Sequence, residues 1–207
     1  AEVFVVSSPG PLVSGVTADN ILTHPSKPRN PRLAAALRRL GLAEEIGRGV
    51  DRMFREMIRS GREVPRFEGH FDRVRVTFVG GAPNTHIARY VAQLPEVERE
   101  NTDTMLTLLR LCSTSSANAV ELAPVLQKTS EEAQVVLQRL ASDAVGMVEA
   151  TRESARRRRP NYRLRGDALK ALGSAVSYRR RTVDEIDRKV IAHVKEYGKV
   201  TNRTVQN

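Results

Sequence analysis

The sequence has little cysteine, no tryptophan and few aromatic residues. Cys112 is the single cysteine among 207 residues, so neither an intramolecular disulfide nor a zinc site built from several thiolates can form. This usage is typical of a reducing cytosol, and we expect a cytoplasmic protein in which Cys112 is a small core residue. Aromatic residues make up 4% of the chain, which argues against a stacking platform for single-stranded nucleic acid.

Several functional signatures are also missing. No apolar run reaches the length of a membrane span, and no signal-peptide pattern is present. The four histidines have no metal-ligand spacing, Ser7–Ser8 is not set in a nucleophile elbow, and no P-loop motif occurs. We therefore expect no metal, no membrane partner and no catalysis in these residues. The opening EVFVV reads as the middle of a strand, which favours a fragment of a longer protein.

Positive charge is abundant, and it lies at one end of the chain. The net charge is +10, yet residues 1–150 hold 18 basic and 18 acidic residues. Residues 151–207 hold 16 basic and 6 acidic residues and so carry the whole excess. A neutral half joined to an arginine-rich half indicates a scaffold followed by a region that contacts a polyanion. Charge alone does not separate DNA from RNA or from an anionic membrane.

Residues 1–80 predict a small α/β unit. We expect strands at Glu2–Val6 and Arg73–Val79, the second alternating apolar and polar residues as a half-solvated strand does. A loop rich in glycine and proline follows the first strand at Ser7–Gly15. Helices are expected at Asn30–Leu40, with Asn30 as the cap, and at Val50–Ser60. The first of these helices has an apolar stripe formed by Leu33, Leu37 and Leu40.

Residues 81–100 are predicted to be a linker with a short helix, and residues 101–166 predict a winged-helix domain. Three helices come first, and Thr129 with Glu132 forms a capping box at the start of the third, Thr129–Ser142. The period then changes from 3.6 to 2, which indicates a hairpin with strands at Gly146–Ala150 and Asn161–Leu164. Pro124 in the second helix is tolerable only in a first turn.

Residues 167–207 are predicted to hold a short helix at Asp167–Val176, a linker, and the start of a second helix-turn-helix. A helix over Val183–Tyr197 has an apolar stripe and ends at Gly198, and a further capped helix begins at Thr201. This repeats the opening of residues 101–126.

The loop between the two hairpin strands, TRESARRRRP, carries the sharpest functional signal. Adjacent arginines repel one another and gain nothing from each other in water, so a polyanionic partner explains them best. The alternatives are a solubilising loop or a protease-sensitive tether. Predicted DNA contacts on or beside this loop are Arg152, Arg156, Arg157, Arg158, Arg159 and Arg163.

The third helix supplies candidates for reading base edges. Gln134, Gln138 and Arg139 lie opposite its apolar stripe, and glutamine pairs with adenine while arginine pairs with guanine. The alternative is that these residues form an ordinary solvated face. Glu131 and Glu132 oppose phosphate approach at the start of this helix, and only Glu132 has a capping role that accounts for it.

Two stretches of the sequence resemble known protein families. Residues 3–79 resemble the C-terminal domain of RecG-related ATP-dependent DNA helicases, a family that often carries an Alba-like or Schlafen-like domain and is commonly described as transcriptional regulators. The matching stretches are SSPGPLVSGVTADNIL, RNPRLAAALRRLGLAEEIGRGVDRM, PRFE and RVRVTF. That domain is similar in turn to the nucleotide-binding fold of histidine kinases and gyrase-type ATPases. Residues 101–165 resemble winged-helix domains, although Gln127–Lys128 stands where a glycine turn is usual.

The first resemblance implies a nucleotide site only in part. It would use Gly10 of the PGP loop together with Gly47 and Gly49 ahead of a helix. The family's magnesium-binding Asn and catalytic Glu would lie upstream of this chain, and Ser7–Ser8 replaces the adenine-binding Asp. We therefore expect no cofactor in this fragment, with ATP as the alternative, and the glycines otherwise serve turns and helix packing.

The predicted fold is α+β: a partial ATPase-like α/β domain, a winged helix-turn-helix domain and the start of a second helical unit. The predicted function is a DNA-binding transcriptional regulator whose partner is duplex DNA. Winged-helix regulators commonly act as dimers, so a homodimer is a further candidate assembly. The alternatives are an ATP-dependent nucleic-acid enzyme, of which this is a non-catalytic C-terminal fragment, and an RNA-binding regulator.

Overall fold

The computed structural model describes residues 2–42 and 48–178, together with Ile191 and Val194. The first part of the chain forms an antiparallel sheet with strand order β1-β3-β2 and two helices between the first two strands in sequence. These elements are β1 (Val3–Pro9), α1 (Pro31–Arg39), α2 (Arg48–Arg59), β2 (Arg66–Gly69) and β3 (Arg73–Val79).

The later part is helical and ends in a two-stranded hairpin followed by one more helix. Its elements are α3 (Thr85–Gln93), α4 (Glu96–Arg99), α5 (Thr102–Ser113), α6 (Ala119–Leu126), α7 (Ser130–Ala141), β4 (Val148–Ala150), β5 (Tyr162–Leu164) and α8 (Gly166–Leu172). A short 3₁₀ turn, Gly173–Ala175, follows α8.

The predicted strand Arg73–Val79 is confirmed as β3, although the burial of its residues does not alternate. The residues Val74, Val76 and Phe78 share one apolar face of the sheet. Val76 pairs with Val6 of β1 and with Phe67 of β2. Helix α2 covers the β2 side of this face, where Phe54 stacks on Phe67 with ring centroids 6.0 Å apart. On the β1 side Phe4 remains exposed. The described residues therefore cover only part of the apolar face.

Helix α1 begins as predicted, at a capping Asn30 whose side chain accepts a hydrogen bond from the backbone N–H of Leu33 at 3.0 Å. Its leucine stripe forms, but the described residues leave it open. No residue of α1 is buried, and Leu33 and Leu40 are 55% and 70% exposed. A helical period predicts which side chains share a face, and only tertiary packing decides whether that face is covered.

One apolar core joins α2 to the later helices. Ile58 of α2 is fully buried in the same cluster as Val91 of α3, Leu108 of α5 and Leu137 of α7. Cys112 also lies in this cluster, which confirms its prediction as a core residue. The sheet is thus attached to the helical part through α2.

Helix α6 corrects one expectation. Pro124 is the sixth of its eight residues, so the prediction that a proline here must lie in the first turn is wrong. A proline cannot donate to the carbonyl four residues earlier, which is that of Val120. Both Pro124 and Val120 are exposed, so water can reach the turn that loses this bond. The helix ends at Gln127, which takes the left-handed conformation with φ 55° in place of a glycine.

Helix α7 starts with the predicted capping box. The backbone N–H of Glu132 donates to the Thr129 hydroxyl at 3.2 Å, and the Glu132 carboxylate accepts from the N–H of Thr129 at 2.9 Å. The hairpin that follows pairs Val148 with Leu164. A bridge between Ala117 and Tyr162 adds a short third strand beside β5.

Some elements differ from prediction. Strand β1 continues to Pro9, which pairs with Arg73, so the loop begins later than Ser7. Strand β2 and helix α4 were not predicted, because four residues are too few to display a period. The predicted helix at Asp167–Val176 is α8 with its 3₁₀ turn. The helices predicted after Val183 lie outside the described residues, apart from the helical and exposed Ile191 and Val194.

Candidate nucleic-acid interface

The loop between β4 and β5 has a defined internal structure. Ser154 lies at its centre, only 1% exposed. The backbone N–H of Ser154 donates to the Thr151 carbonyl at 3.0 Å, and its hydroxyl accepts from the N–H of Asn161 at 2.8 Å. The Ser154 carbonyl accepts from the N–H of Arg157 at 2.8 Å. These bonds close the loop on a buried hydroxyl, so the arginines that follow are held on a built turn.

Three of the predicted wing arginines point to solvent. Arg156, Arg157 and Arg158 are exposed, and none forms an ion pair with the part of the chain that the structure describes. Guanidinium groups with no intramolecular carboxylate keep their forked donors available for phosphate oxygens. These three residues therefore form the strongest positive feature of the loop, and we call them the wing triad.

Arg159 differs from the wing triad, because it is bound within the molecule. Its guanidinium pairs with the carboxylate of Glu131 in the first turn of α7. This contact accounts for Glu131, for which the sequence offered no role. The pKa of Glu131 lies below its ordinary value of 4.5, because its own backbone N–H and the Ser130 hydroxyl donate to it and Arg159 lies nearby. Glu131 thus ties the loop to α7.

The two remaining arginines predicted beside the loop lie at its base. Arg163 faces Glu149 across the β4–β5 pair and donates from Nε to that carboxylate at 2.8 Å. Arg152 is exposed and borders, with Arg163, an open cleft of about 580 Å³. The cleft also contains Glu153, so its charge is mixed and the wing triad remains the more basic surface.

The base-reading candidates on α7 lie in different environments. Gln138 is exposed on the side away from the core. Gln134 is half-buried, and its Nε2 donates to the Tyr162 hydroxyl at 3.3 Å while its Oε1 is buried with no partner among the described residues. Of these two residues, only Gln138 is open to a base edge in the structure as it stands.

Arg139 is held by an internal network. It forms an ion pair with Glu98 of α4, which is 5% exposed, and it also donates to the Thr104 hydroxyl at 3.2 Å. The Glu98 carboxylate accepts from the same hydroxyl. A base contact by Arg139 would require this network to open, so its present contacts orient α7 against α4 and α5. Its predicted DNA contact stays a prediction.

Of the three glycines predicted for a nucleotide site, Gly10 and Gly49 lie within the described residues. Gly10 ends β1 at φ +87°, and its N–H donates to the Asp72 carbonyl at 2.6 Å. The positive φ of Gly10 favours glycine at this turn, and the guanidinium of Arg29 lies against it. Gly49 lies in the first turn of α2 beside open space, and Gly47 is outside the described residues.

Other chemistry is scarce. The described residues contain no cluster of His, Cys, Asp or Glu that could hold a metal ion. Burial raises the pKa of Cys112 to about 12 and that of Tyr90 to about 12, so neither is an activated nucleophile. In the same ranges, none of the helices combines the length and the apolar character needed to cross a bilayer.

Three long-range contacts near the candidate site could not be predicted from the sequence. Glu131 with Arg159, Glu98 with Arg139 and Gln127 with the loop near Leu22 join residues 28, 41 and 105 positions apart. Local periodicity reaches only a few residues along a helix, so it gave no signal for these pairs. The left-handed Gln127 was visible in part, since a glutamine stands where a glycine turn is usual.

Residues 2–78 match the family described as "Putative ATP-dependent DNA helicase recG C-terminal". The crystal structure of the DIP2311 protein from Corynebacterium diphtheriae is similar to this chain, with a TM-score of 0.69 and 26% sequence identity. That likeness covers 82% of this chain and 35% of the other, so it extends well beyond residue 78 and spans about a third of the other protein. The comparison with curated proteins found no match. Residues 2–78 are therefore similar to a RecG-related, ATPase-like region, and we call them the RecG-related region.

Proposed function

We propose that this chain is the duplex-DNA-binding, non-catalytic part of a RecG-related, ATPase-like protein. In this proposal α5, α6, α7 and the β4–β5 hairpin form a winged helix, and the loop 151–161 is its wing. The order of elements supports the assignment, and so does the Ala117–Tyr162 bridge, which supplies the short strand between the first two helices. The observation that carries it is the wing triad: three exposed arginines on an ordered turn, with no ion-pair partner among the described residues.

The contacts have two roles. The wing triad neutralises phosphates or enters a narrow minor groove, which supplies affinity without sequence preference. Gln138 of α7 is the residue open to a base edge in the major groove. Because α7 begins with Glu131 and Glu132, its N-terminus repels phosphate, so the wing provides most of the affinity.

The test is a titration of short fluorescent duplexes against the full 207-residue chain over a range of salt concentrations. Replacing the wing triad with alanine should weaken binding to all sequences alike and reduce the slope of log K against log salt by roughly 2.7, about 0.9 for each lost phosphate contact. The control replaces Arg32, Arg38 and Arg39, three arginines in or beside α1, with alanine. If both triple variants lose affinity equally, the wing assignment is wrong and only bulk charge is at work.

A second function is favoured by the family match. An ATP-dependent nucleic-acid enzyme would place residues 2–78 in a nucleotide-responsive unit, and the match to a RecG-related region supports this alternative better than a transcriptional regulator. ATP hydrolysis measured with and without duplex separates the two. We expect none from this chain, because neither Gly10 nor Gly49 borders the cleft beside Arg152 and Arg163, and the sequence has no P-loop that a helicase motor would require. Competition with duplex RNA and single strands tests the RNA-binding alternative.

A further inference from the structure

Gln127, at the turn between α6 and α7, has a backbone conformation that glutamine rarely adopts. Its φ is 55°, and it is the one non-glycine residue with positive φ among those described. Its side chain extends away from the helices. The Oε1 accepts from the backbone N–H of Leu22 at 2.8 Å, and the Nε2 donates to the carbonyl of Ala18 at 2.9 Å. The oxygen and the nitrogen of the Gln127 side-chain amide thus both bond to one loop of the RecG-related region.

That loop is ordered by its own bonds, and we define residues 15–24 as the docked loop. The Asn20 carboxamide accepts from the N–H of Thr17 at 2.7 Å and donates to the carbonyl of Gly15 at 2.9 Å. The Asn20 carbonyl accepts from the N–H of His24 at 2.8 Å. A loop closed in this way presents Ala18 and Leu22 to Gln127 as a preformed edge.

The docked loop lies at the entrance to α7. Together with the α6–α7 turn it lines a cleft of about 500 Å³, whose walls are Leu22, Thr23, Gln127, Lys128, Thr129 and Glu132. The last two of these residues are the cap and the first turn of α7. The loop itself holds Asp19, an exposed residue next to Ala18. The loop therefore lines one side of the cleft at the start of α7 and carries a negative charge of its own.

We propose that the docked loop is an autoinhibitory latch, closed by Gln127, that opposes the seating of α7 on duplex DNA. The inference rests on the proposed DNA-binding function and names its regulation. DNA that enters at α7 displaces the loop, and a change in the RecG-related region that withdraws the loop strengthens DNA binding. By linkage, the closed latch lowers the affinity for DNA by the same free energy by which bound DNA destabilises the closed latch.

The test compares duplex affinity of the wild-type chain with that of Gln127→Gly. Glycine suits the positive φ, so the turn survives while both hydrogen bonds are lost. Two neutral hydrogen bonds correspond to a gain in affinity of up to roughly 30-fold. Asn20→Ala disrupts the loop from the other side and should give a similar gain, and the double variant should gain no more than one of the single changes. The matched control is Asn30→Ala, which removes the cap of α1 but touches nothing in α6 or α7.

The rate of hydrogen exchange at the Leu22 backbone amide measures whether the latch is closed, independently of the affinity for DNA. It should be slow in the free chain, fast in Gln127→Gly, and faster in the wild type once duplex is added. If duplex binds with equal affinity to wild type and variant, or Leu22 stays protected in the complex, the latch is overturned and the proposed function stands. If neither chain binds duplex, the proposed function fails and the latch with it. Binding by the variant alone supports both.

Discussion

Single charged side chains decide how the wing is held. Glu131 is the clearest case, since it lies at the positive end of α7 and also reaches Arg159 across 28 residues of sequence. Glu131 engages Arg159, one of the four adjacent arginines, in an ion pair. The other three arginines are the wing triad. The pair is exposed, so its contribution to folding is small, and its role lies in directing which arginines face outward.

We predict that Glu131→Gln strengthens duplex binding. The change frees Arg159 and removes a negative charge from the start of α7, so the slope of log K against log salt should steepen by about 0.9, one additional phosphate contact. Salt-titrated anisotropy measures this slope. The control is Glu153→Gln, which removes the same charge from the wing while freeing no paired arginine, and it should leave the slope unchanged.

The pH dependence of this difference has a definite sign. Because the pKa of Glu131 is lowered in the folded chain, the carboxylate keeps its pair with Arg159 down to pH values below the ordinary 4.5. The pair is fully present above that value and is lost as pH falls through the folded pKa. Wild type and Glu131→Gln should therefore differ at pH 7 and converge in acid. A difference that persists unchanged below the folded pKa would contradict the ion-pair explanation.

At the scale of single elements, helix ends follow the sequence closely and α6 departs from it. Asn30, Asn118 and Thr129 all cap helices through their own side chains. Helix α6 instead carries Pro124 within its body and ends at a left-handed Gln127. Both features cost stability within the element, and the contacts of Gln127 with the docked loop offset part of that cost.

We predict that Pro124→Ala stabilises the chain. Alanine restores the N–H that can donate to the Val120 carbonyl, and it relieves the clash of the proline ring in a helix interior. A gain in the free energy of unfolding of about 1 kcal/mol is expected, reduced from the full interior penalty because the unfolded chain becomes more flexible. Urea unfolding followed by circular dichroism measures it. The matched control is Pro95→Ala at the cap of α4, where proline is well accommodated and its loss should destabilise by about 0.5 kcal/mol.

Among the described residues, helix α2 and the later helices share one buried cluster, and Phe67 of β2 packs against it. Ile58 of α2 and Leu94 at the end of α3 belong to the same buried cluster as the helices of the proposed winged helix. The RecG-related region and the proposed DNA-contacting region are therefore coupled by packing as well as by Gln127, which gives the proposed latch a packed base.

We predict that Ile58→Ala destabilises the whole chain by about 3 kcal/mol, because it opens a cavity in that shared core. Helical and hairpin signals should be lost in one transition when unfolding is followed by circular dichroism and by exchange at β4 and β5. Leu33→Ala on the uncovered stripe of α1 is the control and should change stability by less than about 0.5 kcal/mol. Separate transitions for the two regions would contradict a shared core.

The sequence by itself determined the local features of this protein. Caps, the α7 capping box and the alternation of β3 depend on residues at most a few positions apart, so their patterns are legible along the chain. The placement of positive charge after residue 150 is likewise a property of the sequence alone, and it marked the loop 151–161 before any fold was considered. The blocks within residues 3–79 carried the resemblance that the family match at 2–78 bears out.

Only the tertiary structure decided which of those features are free to act. The sequence of the arginine loop does not show whether three or four of its adjacent guanidinium groups lack a partner within the chain. The ion pair between Arg159 and Glu131 shows that Arg159 has one. The sequence predicts a base contact for Arg139, and the structure shows that Glu98 holds this side chain in an ion pair. In the sequence, Gln127 stands where a glycine turn is usual. The structure shows that its side chain accepts a hydrogen bond from the backbone N–H of Leu22. Each of these contacts joins distant parts of the chain, and burial and pairing of that kind arise from packing, which no local period encodes.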